Sequence, residues 1–487
     1  MADLREFREF AEGGIDFFQP GRPSCDMRGK NREGRRREGA MQRRRTARRG
    51  KPNTKVTKVT ALAADSTGEI FELEGYAALG MAGDALVPLT LENTLPMPHG
   101  GELMFLAHRS PVAFNRATGA MEEIPENPYA PGEPIFAVAA FNSPGYVNAY
   151  ISAYRERAPE DTLPLFSYGA VGWHGNGFRS AVICVDREPR QDLRRMSREK
   201  VVEGVLRMRK EMPHNRLCRH LERCALEYGC PAGKNFFLGR YEAPLPTSRT
   251  CNARCLGCIS LQPQGGVSCS QERIDFTPGP EEIAEVALAH ILRVDRAVVS
   301  FGQGCEGDPL FAAHVIEPAI RLIRRETDRG TINMNTNASL PEVLSRLFDA
   351  GLDSIRVSMN SVREQCYLAY FRPKGYGFAD VVKSIDTALS RGRFVSINYL
   401  NCPGFTDTPE EVSAFMAFRR AHPVHFIQWR NLNYDPVKYW AAMNRDAAHG
   451  APMGMAKALS RIRRAFPDLK YGYFNPPRER WGKKDVS

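Results

Sequence analysis

Three cysteines, Cys251, Cys255 and Cys258, stand close together in the run Thr-Cys-Asn-Ala-Arg-Cys-Leu-Gly-Cys, which is a C-x3-C-x2-C spacing. Thiols packed this tightly indicate a metal site, but a closed structural zinc or iron–sulfur site takes four protein ligands. Three ligands leave one iron of a [4Fe–4S] cluster open to a molecule that is not protein. The alternatives are a zinc site with a distant fourth ligand, or simply reduced thiols.

A second run, Ser300-Phe-Gly-Gln-Gly-Cys-Glu-Gly-Asp-Pro-Leu310, comes directly after a strand-like stretch, about 50 residues beyond the cysteines. Glycine lets the backbone approach a ligand closely, and a carboxylate is a natural partner for an ammonium group. The run therefore predicts a ligand-binding turn. Taken alone, it also fits an ordinary tight turn between a strand and a helix.

The elements that must position these residues alternate between strand and helix from about residue 240. Strand-like runs begin at Ala297, Thr331, Ser354, Phe394 and Val424, and amphipathic stretches separate them. With the strand that leads into the cysteines, this makes six β units joined by crossovers, which predicts a parallel sheet. Six units are fewer than the eight of a closed barrel.

Together these features resemble the radical SAM (S-adenosylmethionine) superfamily over about residues 240–440. Gly307 and Asp308 stand where the superfamily has a Gly-Gly-Glu-Pro turn that holds the SAM amino group. Asp308 replaces the usual Glu, which leaves Glu306 as the alternative contact. Gly257 replaces the aromatic residue that usually precedes the third cysteine. The resemblance implies an α/β fold with a partial (β/α)6 TIM-like barrel.

The resemblance also implies the cofactors and the residues that bind them. Cys251, Cys255 and Cys258 would hold a [4Fe–4S] cluster. The SAM contacts would come from strand ends: Gly307, Asp308, Asn335, Ser358, Asn360, Arg372 and Ile397, with Tyr399 as the alternative to Ile397 beside the adenine.

The implied reaction is reductive cleavage of SAM to a 5′-deoxyadenosyl radical, which abstracts hydrogen from a substrate. An electron donor such as ferredoxin or flavodoxin is the implied partner. The sequence does not identify the substrate, for which a peptide, an RNA and a small metabolite remain open.

The other parts of the chain predict the domain organisation. Residues 1–54 form a basic disordered arm, and 55–190 form a small, mostly β accessory domain, because short strand-like runs alternate there with Gly, Pro and Asn. Residues 191–239 form a helical linker with cysteines, 240–445 the barrel, and 446–487 a C-terminal helix and tail.

The net charge of +11 is concentrated in one segment. Residues 28–58 hold 14 Lys and Arg against two acids, so this segment carries +12 and the rest of the chain −1. Such an arm has the charge to contact RNA or anionic lipid, although a solvated tail or a start codon placed too far upstream explains it as well. It supports an alternative function, a non-catalytic iron–sulfur or zinc protein whose arm binds nucleic acid.

Cys218, Cys224 and Cys230 lie six residues apart in the linker. One continuous helix cannot gather them, because steps of six rotate each residue off the previous face. A bend near Gly229 would bring Cys224 and Cys230 to Cys305 or Cys269 as an auxiliary metal site. The alternative is that these thiols only pack in the interior.

The first residues carry acids at Asp3, Glu6, Glu9 and Glu12, which argues against a signal or transit peptide. No apolar run approaches the roughly 18 residues that a membrane span needs. We therefore expect a cytoplasmic protein without membrane contact.

Overall fold

A computed structural model describes residues 57–158, 161–189, 192–262, 267–444 and 449–482. The basic arm predicted at 1–54 lies outside the described residues, so its predicted disorder and its nucleic-acid contact stay predictions.

The N-terminal part of the described chain is built from antiparallel strands. The main sheet has the order β11-β6-β2-β1-β12-β13-β4, and β14 pairs with β9 in a separate ribbon. The strands are β1 Thr60–Ala64, β2 Ile70–Ala82, β3 Ala85–Pro88, β4 Leu95–Pro96, β5 Glu102–Leu106, β6 Arg109–Asn115, β7 Met121–Glu123, β8 Phe136–Phe141, β9 Tyr146–Asn148, β10 Ile151–Ser152, β11 Tyr154–Glu156, β12 Val171–His174, β13 Gly177–Ser180 and β14 Val182–Cys184. The prediction of a strand-rich N-terminal region is confirmed.

Three helices follow, α1 Arg198–Glu211, α2 Arg216–Leu226 and α3 Pro231–Phe237. The side chains of Ser197 and Asn215 accept hydrogen bonds from the first turns of α1 and α2 and so fix where these helices begin. Gly229 has φ +63°, and this left-handed residue turns the chain between α2 and α3. The predicted bend is therefore present.

A parallel sheet of sequential strands β15 to β21 forms the rest of the fold. Its strands are β15 Glu242–Pro244, β16 Val298–Phe301, β17 Thr331–Thr336, β18 Ser354–Met359, β19 Phe394–Asn401, β20 Phe426–Asn431 and β21 Lys470–Tyr471. The helices are α4 Pro280–Ile291, α5 Ala313–Glu326, α6 Pro341–Ala350, α7 Glu364–Phe371, α8 Phe378–Ser390, α9 Pro409–Ala421, α10 Pro436–Asn444 and α11 Met455–Ala465. The predicted α/β partial barrel is confirmed, and the C-terminal segment adds β21 as a seventh, two-residue strand.

The β domain is tied to the barrel by buried polar contacts. The backbone N–H of Asn148 donates to Asn431 Oδ1 over 2.8 Å, and Asn401 Nδ2 donates to the carbonyl of Asn148 over 2.9 Å. Because Asn401 and Asn431 close the carboxyl ends of β19 and β20, these bonds fix the β domain beside the edge of the sheet where barrel folds carry their sites.

In the part of the chain that the structure describes, every helix is too short or too polar to span a bilayer.

Candidate functional site

The barrel and the β domain enclose one large cavity of about 2800 Å³. The carboxyl ends of the parallel strands line it, and so do Phe141, Phe166 and Tyr168 of the β domain. All three predicted cluster cysteines line this cavity, as do Gly307 and Asp308. The two runs singled out in the sequence therefore meet at one site.

The cysteine loop follows β15 and presents three partly buried thiols. Hydrogen-bond donors lie near the sulfurs of two of them, Cys251 and Cys258. The backbone N–H of Ala253 lies 3.4 Å from Cys251 Sγ, Arg273 Nη2 lies 3.7 Å from Cys258 Sγ, and Asn337 Nδ2 lies 3.9 Å from Cys251 Sγ. Donors aimed at cysteine sulfurs stabilise thiolates and tune the potential of an iron–sulfur cluster.

Burial disfavours the thiolate form of two of these cysteines. It raises the pKa of Cys251 to about 12 and the pKa of Cys255 well above its ordinary value, and the neighbouring thiols add to the effect on Cys255. Coordination to a metal deprotonates such a thiol. Three thiols on one loop, two of them with sulfur-directed donors and with no fourth cysteine in their run, fit a cluster with an open iron.

Glu306 is the residue that the sequence offered as the alternative SAM contact. Both of its carboxylate oxygens accept hydrogen bonds from backbone N–H groups. Its Oε2 accepts from the N–H groups of Thr247 and Ser248, each at 2.8 Å, and its Oε1 accepts from those of Gly302 and Gln303, each at 2.7 Å. Burial raises its pKa to about 7 despite these bonds. The carboxylate therefore holds the loop before the cysteines against the loop after β16.

Asp308 ties the loop after β16 to the end of β17. Thr336 Oγ1 donates to Asp308 Oδ1 over 2.9 Å, and the backbone N–H of Asn337 donates to Oδ2 over 2.6 Å. The N–H of Leu310 donates to Oδ1 over 3.1 Å. Burial raises the pKa of Asp308 to about 6. The two carboxylates predicted as SAM contacts, those of Glu306 and Asp308, thus hold the loops of the site together by hydrogen bonds.

Two glycines allow these loops to approach one another. A Cβ on Gly307 would lie 2.0 Å from the carbonyl oxygen of Thr250, and one on Gly302 would lie 1.7 Å from that of Asn335. Gly302 also has φ +78°, a conformation that favours glycine. Glycine at both positions is therefore a steric requirement of the site.

Gly257 has a comparable role where the superfamily usually has an aromatic residue. A Cβ there would lie 2.7 Å from the carbonyl oxygen of Asn433 and 2.9 Å from the hydroxyl of Tyr370. Tyr370, on α7, therefore occupies the space beside the cysteine loop from another part of the chain.

The predicted strand-end residues divide into two groups. Asn335 and Ser358 line the cavity, and Asn335 Nδ2 donates to the carbonyl of Gly302 over 3.0 Å. Asn360, Arg372 and Ile397 are not part of the cavity wall.

Each of the three residues outside the wall has its own environment. Asn360 Nδ2 is turned toward α7 and α10, where it donates to the carbonyl of Cys366 over 3.0 Å and to Tyr439. Arg372 is exposed at the left-handed end of α7. Ile397 is buried on the other face of β19. The structure therefore does not bring these three to the predicted SAM site.

Neighbours of Ile397 take its place, because side chains alternate between the two faces of a strand. Asn398 and Leu400 line the cavity, whereas Ile397 and Tyr399 are buried on the helix side. Both residues predicted to lie beside the adenine, Ile397 and Tyr399, therefore lie outside the cavity wall. Ser358, Asn398 and Gln428 are paired in register across β18 to β20 and form a polar row on the wall.

Asn398 also carries a sign of ligand binding. Its Oδ1 is buried and has no hydrogen-bond partner among the described residues. An unpaired buried acceptor is costly, and a bound polar ligand would satisfy it. The polar residues at the ends of these strands are visible in the sequence. Because side chains on one face of a strand are two residues apart, Ser396, Asn398 and Leu400 share a face of β19, and this alternation is the signal that could have identified Asn398.

Comparison with known proteins defines the class. Residues 245–417 match the family model described as the Radical SAM superfamily. This part of the chain is therefore a radical SAM domain, and radical SAM enzymes use a [4Fe–4S] cluster and S-adenosylmethionine. The predictions of family and cofactors are confirmed, while the individual SAM contacts stay predictions.

Relatives of known name match only part of the chain. A mitochondrial GTP 3′,8-cyclase of Arabidopsis thaliana is 26% identical over 200 residues, which are 39% of this chain and 47% of that protein. Molybdenum cofactor biosynthesis protein 1 of Mus musculus is 29% identical over 198 residues, covering 39% and 29%. The chain thus spans about half or less of the length of these relatives.

Solved structures show lower similarity. Methylornithine synthase (PylB) is 16% identical with a TM-score of 0.35, covering 56% of this chain and 77% of the other. The maturase HydG from Carboxydothermus hydrogenoformans is 15% identical with a TM-score of 0.33, covering 56% and 68%. Similarity at this level supports no conclusion about function.

Proposed function

We propose that this protein reductively cleaves SAM and transfers a hydrogen atom from a substrate held in the cavity between the barrel and the β domain. The observation that carries the proposal is the meeting of the cysteine loop, the Asp308 turn and the polar row Ser358–Asn398–Gln428 at one cavity. A three-cysteine [4Fe–4S] cluster supplies, when bound, the electron that breaks the carbon–sulfur bond of SAM.

In this proposal the protein's own residues bind, orient and exclude water. Cys251, Cys255 and Cys258 would hold the cluster, and Ala253 N–H, Arg273 and Asn337 would stabilise its thiolates by hydrogen bonds. The Asn398 amide, with its unpaired Oδ1, would bind a polar group of SAM or substrate.

The size of the cavity supports a second bound molecule beside SAM. Pockets for single small molecules are about 300–1,000 Å³, whereas this one is about 2800 Å³. Phe141, Phe166 and Tyr168 give the β-domain wall an aromatic surface that suits an organic substrate and keeps water from the reacting atoms. We therefore assign the β domain the role of presenting substrate.

The first substrate to test is GTP. The GTP 3′,8-cyclases matched by about 200 residues of this chain favour a nucleotide over the peptide and RNA alternatives. These matches are 25–26% identical over 39–40% of this chain, and they make GTP the candidate substrate.

The experiment is anaerobic incubation of the iron-loaded protein with SAM and a chemical reductant, with and without GTP, assayed for 5′-deoxyadenosine. We expect 5′-deoxyadenosine in both reactions and at least a several-fold higher yield in the presence of the true substrate. GTP consumption that parallels this increase would support a nucleotide substrate. Absence of 5′-deoxyadenosine from iron-loaded protein in both reactions would favour the alternative of a non-catalytic iron–sulfur protein.

The nucleic-acid alternative is tested separately. A variant lacking residues 1–54 removes most of the basic segment. If the arm binds RNA, the full chain should retain RNA at low salt and lose it steeply as salt rises, and the truncated chain should not bind. Equal RNA binding by both chains would contradict that role.

A further inference from the structure

A second group of metal-ligating side chains lies in the interior, outside the proposed SAM cavity. His220 and Cys224 project from α2, and Cys305 comes from the loop after β16. His220 Nε2 lies 3.4 Å from Cys305 Sγ and 3.5 Å from Cys224 Sγ. All three ligand atoms lie within 4.8 Å of one another.

The fold brings these residues together from distant parts of the sequence. His220 and Cys224 are four residues apart and therefore share one face of α2. Asn215 Nδ2 donates to the carbonyl of Glu282 over 2.9 Å, which fixes the start of α2 against α4. The N–H of Ile274 donates to the carbonyl of Cys305 over 2.7 Å and holds the third residue in place.

The group is buried: His220, Cys224 and Cys305 are 6%, 3% and 6% exposed. The imidazole ring directs a single nitrogen, Nε2, at both sulfurs. Interior cysteines that only pack need not converge on the nitrogen of a buried histidine. A common metal ion explains why three soft donors meet at one point.

We propose that His220, Cys224 and Cys305 bind one zinc ion. For tetrahedral zinc with Zn–N of about 2.0 Å and Zn–S of about 2.3 Å, the nitrogen and sulfur ligands should lie about 3.5 Å apart. The observed separations of 3.4 and 3.5 Å agree with this geometry. A cubane cluster would hold its cysteine sulfurs on different irons and therefore further apart.

The fourth position belongs to a neighbouring thiol or to water. Cys230 caps the start of α3, and its backbone N–H donates to the carbonyl of Cys224 over 2.9 Å. The Cys230 thiol is not one of the ligand atoms that lie within 4.8 Å of one another, so it would have to move to coordinate the ion. A Cys3His set is a common structural zinc site, whereas Cys2His with water leaves an open position.

This site would have a consequence for the SAM cavity. Cys305 immediately precedes Glu306, Gly307 and Asp308, so a zinc ion on Cys305 would anchor the loop after β16 to the helical segment before the barrel. Of the residues that the sequence analysis considered for an auxiliary site, the structure unites Cys224 with Cys305. His220 was missed, because only the packing of α2 against the barrel shows where it faces.

The test is elemental analysis of the full-length protein, purified anaerobically and loaded with iron so that the C-x3-C-x2-C loop is occupied. We expect about one zinc per chain beside about four irons. Cys224→Ser and His220→Gln should each weaken zinc binding by at least about tenfold, because even loss of an outer-shell partner costs that much. Cys218→Ser, another buried cysteine of α2, should keep the zinc.

A spectroscopic measurement covers the case in which the variants fail to fold. Iron-loaded wild-type protein with Co²⁺ in place of zinc should show thiolate-to-cobalt charge-transfer absorption and the visible bands of a tetrahedral ion. The proposal is overturned if the wild type binds neither Zn²⁺ nor Co²⁺ or if folded variants keep their zinc. It is also overturned if iron rises to about eight atoms per chain or if Cys224 and Cys305 are isolated as a disulfide.

Discussion

The backbone N–H of Asn337 donates to Asp308 Oδ2 over 2.6 Å, while the side-chain amide of the same residue lies 3.9 Å from Cys251 Sγ. One residue at the end of β17 therefore connects the turn after β16 with the cysteine loop after β15. The three loops form one hydrogen-bonded unit. A substitution in any of them should therefore alter the positions of the cysteines that would hold the cluster.

Removing the Asp308 carboxylate should loosen this unit. In Asp308→Ala, Thr336 Oγ1 and the N–H of Asn337 lose a buried acceptor, which costs about 1–3 kcal/mol for each group left unpaired. We expect a lower free energy of unfolding in urea and at least a tenfold weaker SAM affinity by calorimetry. Asp349→Asn, an exposed residue paired with Arg391, serves as the control, and a loss of equal size there would contradict the prediction.

A methyl group on Gly307 should displace the cysteine loop. Because its Cβ would lie 2.0 Å from the carbonyl oxygen of Thr250, Gly307→Ala must shift the backbone on one side of the contact. We expect iron incorporation to fall several-fold, measured as iron per chain after reconstitution. Gly177→Ala, where a Cβ meets nothing within 4 Å, should load normally. Full iron loading of Gly307→Ala would contradict the steric argument.

The contribution of His290 to folding stability should decrease as the pH falls below about 6.5. Burial lowers the pKa of this histidine from 6.5 to about 4, and its Nε2 lies 3.2 Å from the carbonyl of Tyr241. Between pH 6.5 and about pH 4, His290 is protonated in the unfolded chain but stays neutral in the folded protein. Protonation therefore favours unfolding in this range. At pH 5 the loss that comes from His290 should be about 2 kcal/mol.

Urea unfolding of the wild type and of His290→Gln at pH 7 and pH 5 measures this contribution. Lowering the pH from 7 to 5 should destabilise the wild type relative to the variant by about 2 kcal/mol. An identical pH dependence would show that other groups control it.

The buried ion pair between Arg109 of the β domain and Asp435 of the barrel should be needed for attachment of the cavity wall. Arg109 Nη2 lies 3.4 Å from Asp435 Oδ2 and donates to the carbonyl of Asp161 over 2.7 Å. Arg109→Met leaves a buried carboxylate without its cation, which costs about 3–5 kcal/mol. We expect earlier proteolysis of the β domain and a lower unfolding midpoint.

A double-mutant cycle isolates the pair. Arg109→Met combined with Asp435→Asn should be less destabilising than the sum of the two single changes, because the second removes the charge that the first leaves unpaired. Strict additivity would mean that the two residues do not interact.

How far the sequence specifies this structure depends on whether a feature is local. Cys251, Cys255 and Cys258 lie within eight residues, and the glycine-rich turn follows its strand directly, so both could be predicted and both line the cavity. Whether Ile397 or Asn398 lines the cavity depends on which face of β19 turns inward. Only the sheet as a whole decides that question.

Features assembled from distant segments could not be predicted in this way. The two-residue strand Lys470–Tyr471 is too short to leave a periodic pattern, and its pairing with β20 defines it. The contact between His220 and Cys305 joins residues 85 positions apart. In both cases tertiary packing supplies the information that local sequence lacks.

The central claim is that the three cysteines hold the cluster at which SAM is cleaved, and one measurement tests it most directly. Reconstituted wild-type protein and Cys255→Ala are incubated anaerobically with SAM and dithionite, and 5′-deoxyadenosine is quantified. Cys184→Ala, a partly buried cysteine of β14 outside the cavity, is the control. We predict product from the wild type and the control and none from Cys255→Ala. Equal yields from all three proteins would contradict the account.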